Sequence, residues 1–351
     1  MCIFVASNYF FTLFITILMK KVIVILLALL SVASTCFTFT SCSGNKNKVP
    51  QLGKSNSAPY ELLLVANKDW LKTMAGQSLS VVLDSPIEGL PQPESHFHIT
   101  SINPNAFDGT FKYYANVIVV KIGKDYPEKK VSMVKDAYCK PQLILYLEAP
   151  DDEQFIQLVR ERAESILSIF DERELARERT LLEKNHSGQV FKQSQTQFGA
   201  TLCAPKDIDD IKTAKDFFWA SASKQEFRLN ICMYSIPLRN LTLEDFIAVR
   251  DSVMKINIPG DKEGQWMETD SRSVLSHEKN IEPDQRSVMV VTGLWDMRND
   301  AMGGPFVSYV QPDYDTQRLI ITEGFIFAPN ENKRAMIREL EASLQTLSVV
   351  K

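Results

Sequence analysis

The stretch Gln142-Leu143-Ile144-Leu145-Tyr146-Leu147-Glu148-Ala149-Pro150-Asp151-Asp152-Glu153 decides the fold class. An apolar run of strand length stops at a proline, and acidic residues then occupy the first turn of a helix, where the dipole favours them. The helix carries its apolar stripe at Phe155, Ile156, Val159, Ala163, Ile166, Leu167 and Phe170, spaced by threes and fours. The same unit recurs near the C-terminus. Ile320-Ile321-Thr322-Glu323-Gly324-Phe325-Ile326-Phe327-Ala328-Pro329 precedes a second helix, with Met336, Ile337, Leu340, Leu344 and Leu347 at matching intervals.

Working outward, each half reads strand–helix, then strands, then strand–helix. Strands are expected at 61–66, 97–102, 116–122 and 142–148 in the first half. In the second they fall at 198–204, 226–236, 288–294, 306–310 and 318–328. Helices are expected from Asn67 or Asp69, with Trp70 and Leu71 inward, after Pro205-Lys206-Asp207, from Thr242 to Lys255 and from Asn330 to Val349. Thr242 followed by Asp245 approximates a capping box. Clustered strands closed by helices predict an α+β fold, with antiparallel or mixed sheets and helices packed on one face. The repeat suggests two related halves; one continuous domain is the alternative. Between them, nine of the fourteen residues from Asp171 to Lys184 are charged and of mixed sign, which predicts a solvated connecting helix reaching about Gln197, with a break at Ser187-Gly188.

The N-terminus carries a different signal. Residues 1–41 hold no Asp or Glu, and Met19-Lys20-Lys21 leads into the apolar run Val22–Leu30. A charged region followed by an apolar one marks a signal peptide, with Met19 as its expected start. The segment closes on Thr40-Ser41-Cys42-Ser43, small residues around a cysteine, which resembles a bacterial lipobox. That resemblance implies acylation of Cys42, with palmitate among the expected chains, and cleavage before it; several acyl chains hold a soluble domain on a bilayer where one does not. Ser43 and the absence of an acidic cluster after it fit an outer-membrane lipoprotein facing the periplasm. A transmembrane signal anchor is the competing reading, since residues 22–41 lack charge. The expected organisation is a signal peptide at 1–41, a lipid-anchored tether at 42–58, an N-terminal half at 59–170, a connecting helix at 171–197 and a C-terminal half at 198–351.

Composition narrows the function classes. The chain has 351 residues with 39 basic against 43 acidic side chains, a net charge of −4, and no basic footprint for nucleic acid. Of the thiols beyond Cys42, Cys203 and Cys232 lie in strand-like apolar runs, as buried small residues or as a bridged pair.

Trp70 with Gly76, Leu90-Pro91-Gln92-Pro93-Glu94 with Phe97, Arg250-Asp251-Ser252-Val253 with Ile258-Pro259-Gly260, Trp295 with Met302-Gly303-Gly304-Pro305-Phe306, and Lys333-Arg334 with Leu340-Glu341 are spread along the chain in that order. In these motifs the mature chain resembles throughout a family of Bacteroidota lipoproteins of unknown function (DUF 4837). The resemblance implies an envelope lipoprotein and no catalytic chemistry.

No motif fixes a reaction, and no cofactor is expected. His96 and His98 alternate along a strand and would share a face, yet His186 and His277 have no sequence reason to join them in a metal site. The segment 257–287 reads as a long loop holding Trp266, Glu268, Asp270 and His277; its acids and histidine are the candidates for an envelope hydrolase. The favoured candidate is a binding surface at Trp295, Arg298, Met302, Gly303 and Gly304, joined by Arg250 from a neighbouring helix. Aromatic, arginine and methionine side chains are enriched at such surfaces, and the expected partner is an envelope protein or glycan. A purely structural envelope protein is the remaining alternative.

Overall fold

A computed structural model describes residues 52–223, 228–281 and 285–350. The signal peptide, Met19, Cys42 and most of the tether lie outside the described residues.

The N-terminal half begins with β1 (Gly53–Lys54) and β2 (Glu61–Val65), then helix α1 (Met74–Leu83). Strands β3 (His98–Ile102), β4 (Asn116–Ile122), β5 (Lys130–Lys135), β6 (Cys139–Lys140) and β7 (Leu143–Ala149) follow, then the 33-residue helix α2 (Asp152–Lys184). The main sheet has the order β3-β2-β4-β7-β5, with the first four strands parallel and β5 antiparallel at the edge. The parallel strands are buried on both faces and therefore read as unbroken apolar runs. Leu62, Leu64, Leu143, Leu145 and Leu147 face α1 and α2, meeting Leu79, Phe155, Val159 and Phe170. Leu63, Val65, Val117 and Ile144 face the other way, under Phe107, Phe111 and Tyr114 of a short-helical segment.

The C-terminal half begins with α3 (Gly188–Phe198), β8 (Ala200–Thr201), β9 (Asp210–Ala214), β10 (Phe217–Ser223) and β11 (Arg228–Pro237). It continues through α4 (Leu243–Asn257), β12 (Met267–Ile281), β13 (Arg286–Met297), β14 (Gly303–Asp313), β15 (Arg318–Phe327), α5 (Arg334–Leu344) and β16 (Ser348–Val349). Seven of these strands form one antiparallel sheet, β12-β13-β14-β15-β11-β10-β9. Thr242 and Asp245 complete the capping box that opens α4. The fold is thus α+β with mixed and antiparallel sheets.

Several expectations change. In the C-terminal half helices cover both faces of the sheet, because its central strands are apolar on both. Ile231, Met233, Ile320 and Tyr309 meet α3 and α5, whereas Cys232, Tyr234, Ile321 and Phe306 meet α4. The recurring strand–Ala-Pro–helix unit is not a structural repeat: β7 pairs with β4 in parallel, whereas both neighbours of β15 are antiparallel. The segment after Pro205 forms the β9–β10 hairpin and no helix, and the stretch expected as a strand at 198–204 keeps only β8. The last helix stops at Leu344. The long loop of 257–287 is largely β12, an edge strand whose polar, solvent-facing side chains hide its pairing with β13.

The charged connecting helix is also more than a solvated link. It is the second half of α2, and Asp171 and Glu174 are buried there. Glu174 accepts hydrogen bonds from Asn116 Nδ2 (2.9 Å) and Arg177, while Leu175 and Leu182 pack with Cys203 and Ala342 of the C-terminal half. Residues 52–351 accordingly cluster as one compact unit. Cys203 and Cys232 are free buried thiols in separate clusters, and burial pushes both thiols up. No helix among the described residues is long and apolar enough to cross a membrane.

Candidate functional site

Trp295 sits near the end of β13, 2% exposed, and meets Phe325 of β15 edge-on at 5.8 Å. Its indole Nε1 donates to the carbonyl oxygen of Ile326 at 3.2 Å, reaching across β14 at Gly304. Only glycine allows this. A methyl group at Gly304 would strike the Ile326 carbonyl oxygen and lie 3.2 Å from the Trp295 nitrogen; at Gly303 it would lie 2.7 Å from Asp296 Oδ1. The Trp295–Gly304 pairing therefore sets the local shape of the sheet. β13 runs on to Met297, so the turn before β14 is shorter than the sequence suggests.

Arg250 projects from α4 into the same core and is fully buried. Its Nε and Nη2 donate to the two carboxylate oxygens of Glu323 at 2.9 and 2.7 Å, and Nη1 donates to Thr269 Oγ1 at 2.7 Å. Ser308 Oγ donates to the same carboxylate at 2.7 Å, and the guanidinium lies over the Phe306 ring at 4.1 Å. Burial opposes the charge on Arg250, but the Glu323 carboxylate beside it raises its pKa. A bidentate pair of this kind is satisfied from within.

Arg298 lies on the exposed turn, stacked over Trp266 at 4.8 Å and 3.4 Å from Glu268. Of the six residues expected to form one surface, Trp295 and Met302 line a common pocket of about 490 Å³, Arg298 lines a separate open depression on the turn together with Gly303 and, again, Met302, and Arg250 lies buried on α4.

That pocket lies on the α4 face of the sheet, past the helix's C-terminal end. Its floor is Trp219 of β10, Phe325 and Phe327 of β15 and Trp295 of β13, with Met267, Met297 and Met302 beside them. Ile256 to Asp261 form one wall, and Lys212 of β9 and Arg228 of β11 stand at the far end. Five strand spacings separate β13 from β9, about 24 Å at roughly 4.8 Å each, so the lining residues are drawn out across the sheet. Trp219 is held flat by its indole bond to Asn230 Oδ1 (3.0 Å) and by Lys212 over its ring at 4.7 Å. Gln265 donates to Asp300 Oδ2 and to the Asn299 carbonyl, both at 3.0 Å, fixing the end near Met302. Sequence patterning missed Trp219, Asn230, Phe325 and Phe327. The usable signal was the alternation Phe325-Ile326-Phe327, which puts two rings on one face.

The proposed acid-base groups do not converge. Glu268 faces Arg298, Asp270 is bonded by Arg272 at 2.9 Å, and the pairing of β12 with β13 is irregular between Asp270 and Leu275, before exposed His277. Hydrogen bonding by Arg272 holds the Asp270 carboxyl below its usual range. His96 and His98 separate as well: His98 is exposed, and His96 Nδ1 contacts Asp171 Oδ2 beside Arg338. Among the described residues no group of three or more His, Cys, Asp or Glu is placed to hold a metal ion.

No curated protein matches the chain. Among solved structures, the Ran-binding protein Mog1p of Saccharomyces cerevisiae is 10% identical, covers 44% of this chain and 91% of its own, and has a TM-score of 0.29. Residues 55–183 match the family described as Domain of unknown function (DUF8532). Residues 187–346, rather than the whole mature chain, match the family described as Domain of unknown function (DUF4837). The boundary between the two matched segments falls where α2 gives way to α3.

Proposed function

We propose that the chain is a non-enzymatic binding module, held at the outer membrane on its periplasmic side by an acylated Cys42, and that the aromatic pocket of the DUF4837 domain seats its ligand. One observation carries this. Four aromatic and three methionine side chains line a single drawn-out pocket. Aromatic faces supply large contact area at little conformational cost, and methionines adapt their shape to a guest. With the amides of Asn230 and Gln265 and the cations Lys212 and Arg228 at its ends, the pocket suits a short glycan or peptide segment of an envelope partner.

The test is native mass spectrometry of the chain after incubation with an envelope extract. A bound species should accompany the wild type and be lost or weakened in Met302→Trp, which adds bulk at one end of the pocket. A species retained equally by the variant would place the ligand away from the Met302 end of the pocket. The anchor is tested separately: Cys42→Ala should abolish labelling by a fatty-acid probe, and wild-type protein recovered unmodified in the soluble periplasm would contradict it.

A further inference from the structure

Leu52, the first of the described residues, leads directly into β1. β1 pairs in parallel with β6, placing Gly53 opposite Cys139 and Lys54 opposite Lys140. Gly53 lies beside the Tyr113 ring, and Asn56 N donates to the Tyr113 carbonyl at 3.0 Å. Tyr138, next to Cys139, meets Phe107 edge-on at 6.1 Å and has Lys112 over its ring at 5.4 Å. Leu52, Tyr113 and Tyr138 are exposed by 40%, 41% and 38%. Three apolar or aromatic tips and three lysines thus gather around β1. Two acids answer part of this charge: Asp108 pairs with Lys112 at 2.9 Å and Asp136 with Lys140 at 4.0 Å. Lys54 has no acidic partner among the described residues. The sequence adds to the same sign, since residues 43–58 hold Lys46, Lys48 and Lys54 and no acid, in a chain of net charge −4.

We infer that this face rests on an anionic lipid surface. Ten residues join Cys42 to Leu52, a reach of at most about 36 Å. An acylated Cys42 would therefore hold the patch close to the headgroups. Tyrosines favour the membrane–water interface, where the ring is apolar and the hydroxyl wet. Lysines beside an anchor add electrostatic attraction, and an acyl anchor with a basic patch holds more firmly than either part. The face would fix the orientation of the module and leave the pocket of the other domain directed by the fold rather than by a free tether. The inference uses the anchored reading for the tether alone, because the face itself is testable without any acyl chain.

The experiment is sedimentation of the unacylated chain beginning at Ser43 with two kinds of vesicle. One is phosphatidylcholine alone; the other carries about one-third phosphatidylglycerol, enough for a negative surface potential. Binding is expected to the anionic vesicles and to weaken as salt rises. Each lysine near such a surface is worth roughly fivefold in affinity, so Lys54→Glu with Lys140→Glu should cost at least about 25-fold. Tyr113→Ser with Tyr138→Ser should weaken binding at an unchanged melting temperature; if that pair lowers the melting temperature, Leu52→Ser replaces it. Absence of binding, equal binding to both vesicles, or binding indifferent to the lysine substitutions would overturn the inference. None of these results depends on whether Cys42 is acylated, so failure here and failure of the anchor are separate outcomes.

Discussion

The carboxylate of Glu94 caps helix α5 at Arg334, from the other half of the chain. Its Oε1 accepts the Lys333 N–H at 2.7 Å and its Oε2 accepts the Arg334 N–H at 3.0 Å. Arg334 Nη1 returns a bond to the Ser95 carbonyl, and Lys333 Nζ donates to Gln92 Oε1. Lys333 supplies no side-chain cap of its own. The Leu90–Glu94 turn and the Lys333-Arg334 pair, far apart in sequence, are therefore one device: a strap from the N-terminal half that satisfies the open backbone donors of α5 and meets its positive dipole end.

Glu94→Ala should lower stability by about 1–2 kcal/mol, the usual range for a lost cap. Glu94→Gln, which keeps acceptor oxygen but loses charge, should fall between. Urea midpoints measure both. An unchanged midpoint for the alanine variant would mean that the two halves do not depend on this contact.

Gly304→Ala should be among the most damaging single substitutions, costing more than about 4 kcal/mol, because the added methyl strikes backbone and cannot be relieved by a rotamer change. Gly199→Ala is the control. Gly199 has φ +58° but open space around it, so about 1 kcal/mol is expected there from backbone conformation. Thermal unfolding of the two variants should separate them clearly, and similar losses would contradict the account of Trp295 and Gly304.

Arg250→Met alone leaves Glu323 charged and buried, and about 3–5 kcal/mol should be lost. Adding Glu323→Leu removes the stranded charge and should recover most of that loss. The double-mutant cycle reads the coupling directly. Additive losses would mean that the pair is not coupled as its geometry requires.

Acid should loosen the junction between the halves. Burial would raise the Glu341 carboxyl, but Arg338, donating at 2.8 Å, and Lys279 at 3.8 Å outweigh it and hold the pKa below the usual range. A carboxyl lowered by folding contributes stability that is complete above its unfolded pKa, about 4.3, and is lost as pH falls through the lower folded value. Unfolding free energy of the wild type should therefore decline below about pH 4.3. Glu341→Gln should be less stable at neutral pH and show a shallower acid decline. An identical acid slope in the variant would remove Glu341 from the explanation.

Much of the fold was legible because its burial is regular. β4 and β7 are apolar on both faces, and α4 announces its start with Thr242 and Asp245, so their positions could be read closely. β12 could not be read, since an edge strand with Asp270, Arg272, Glu278 and Lys279 in it has little apolar alternation. The Phe217–Ala220 run was obscured for a different reason: both faces of β10 are covered, so neighbouring residues are apolar and give no period. In α2 the charges suggested solvent, whereas Asp171 and Glu174 are buried against partners from distant segments. At the site, Trp295 and Met302 stood out by residue type. The roles of Arg250 and Gly304 depend on Glu323 and Ile326, contacts that no local pattern contains.

We propose the aromatic pocket, rather than the outward side of the turn at Arg298, as the working surface. The most direct measurement pairs melting temperature with rescue of a deletion strain for Met302→Trp, Ile256→Glu and Arg298→Ala. Ile256 is exposed on the pocket wall and Arg298 lies outside the pocket, so these changes should leave the melting temperature within about 2 °C of wild type. The two pocket variants should fold and fail to rescue, while Arg298→Ala should fold and rescue. Full rescue by both pocket variants would contradict the proposal.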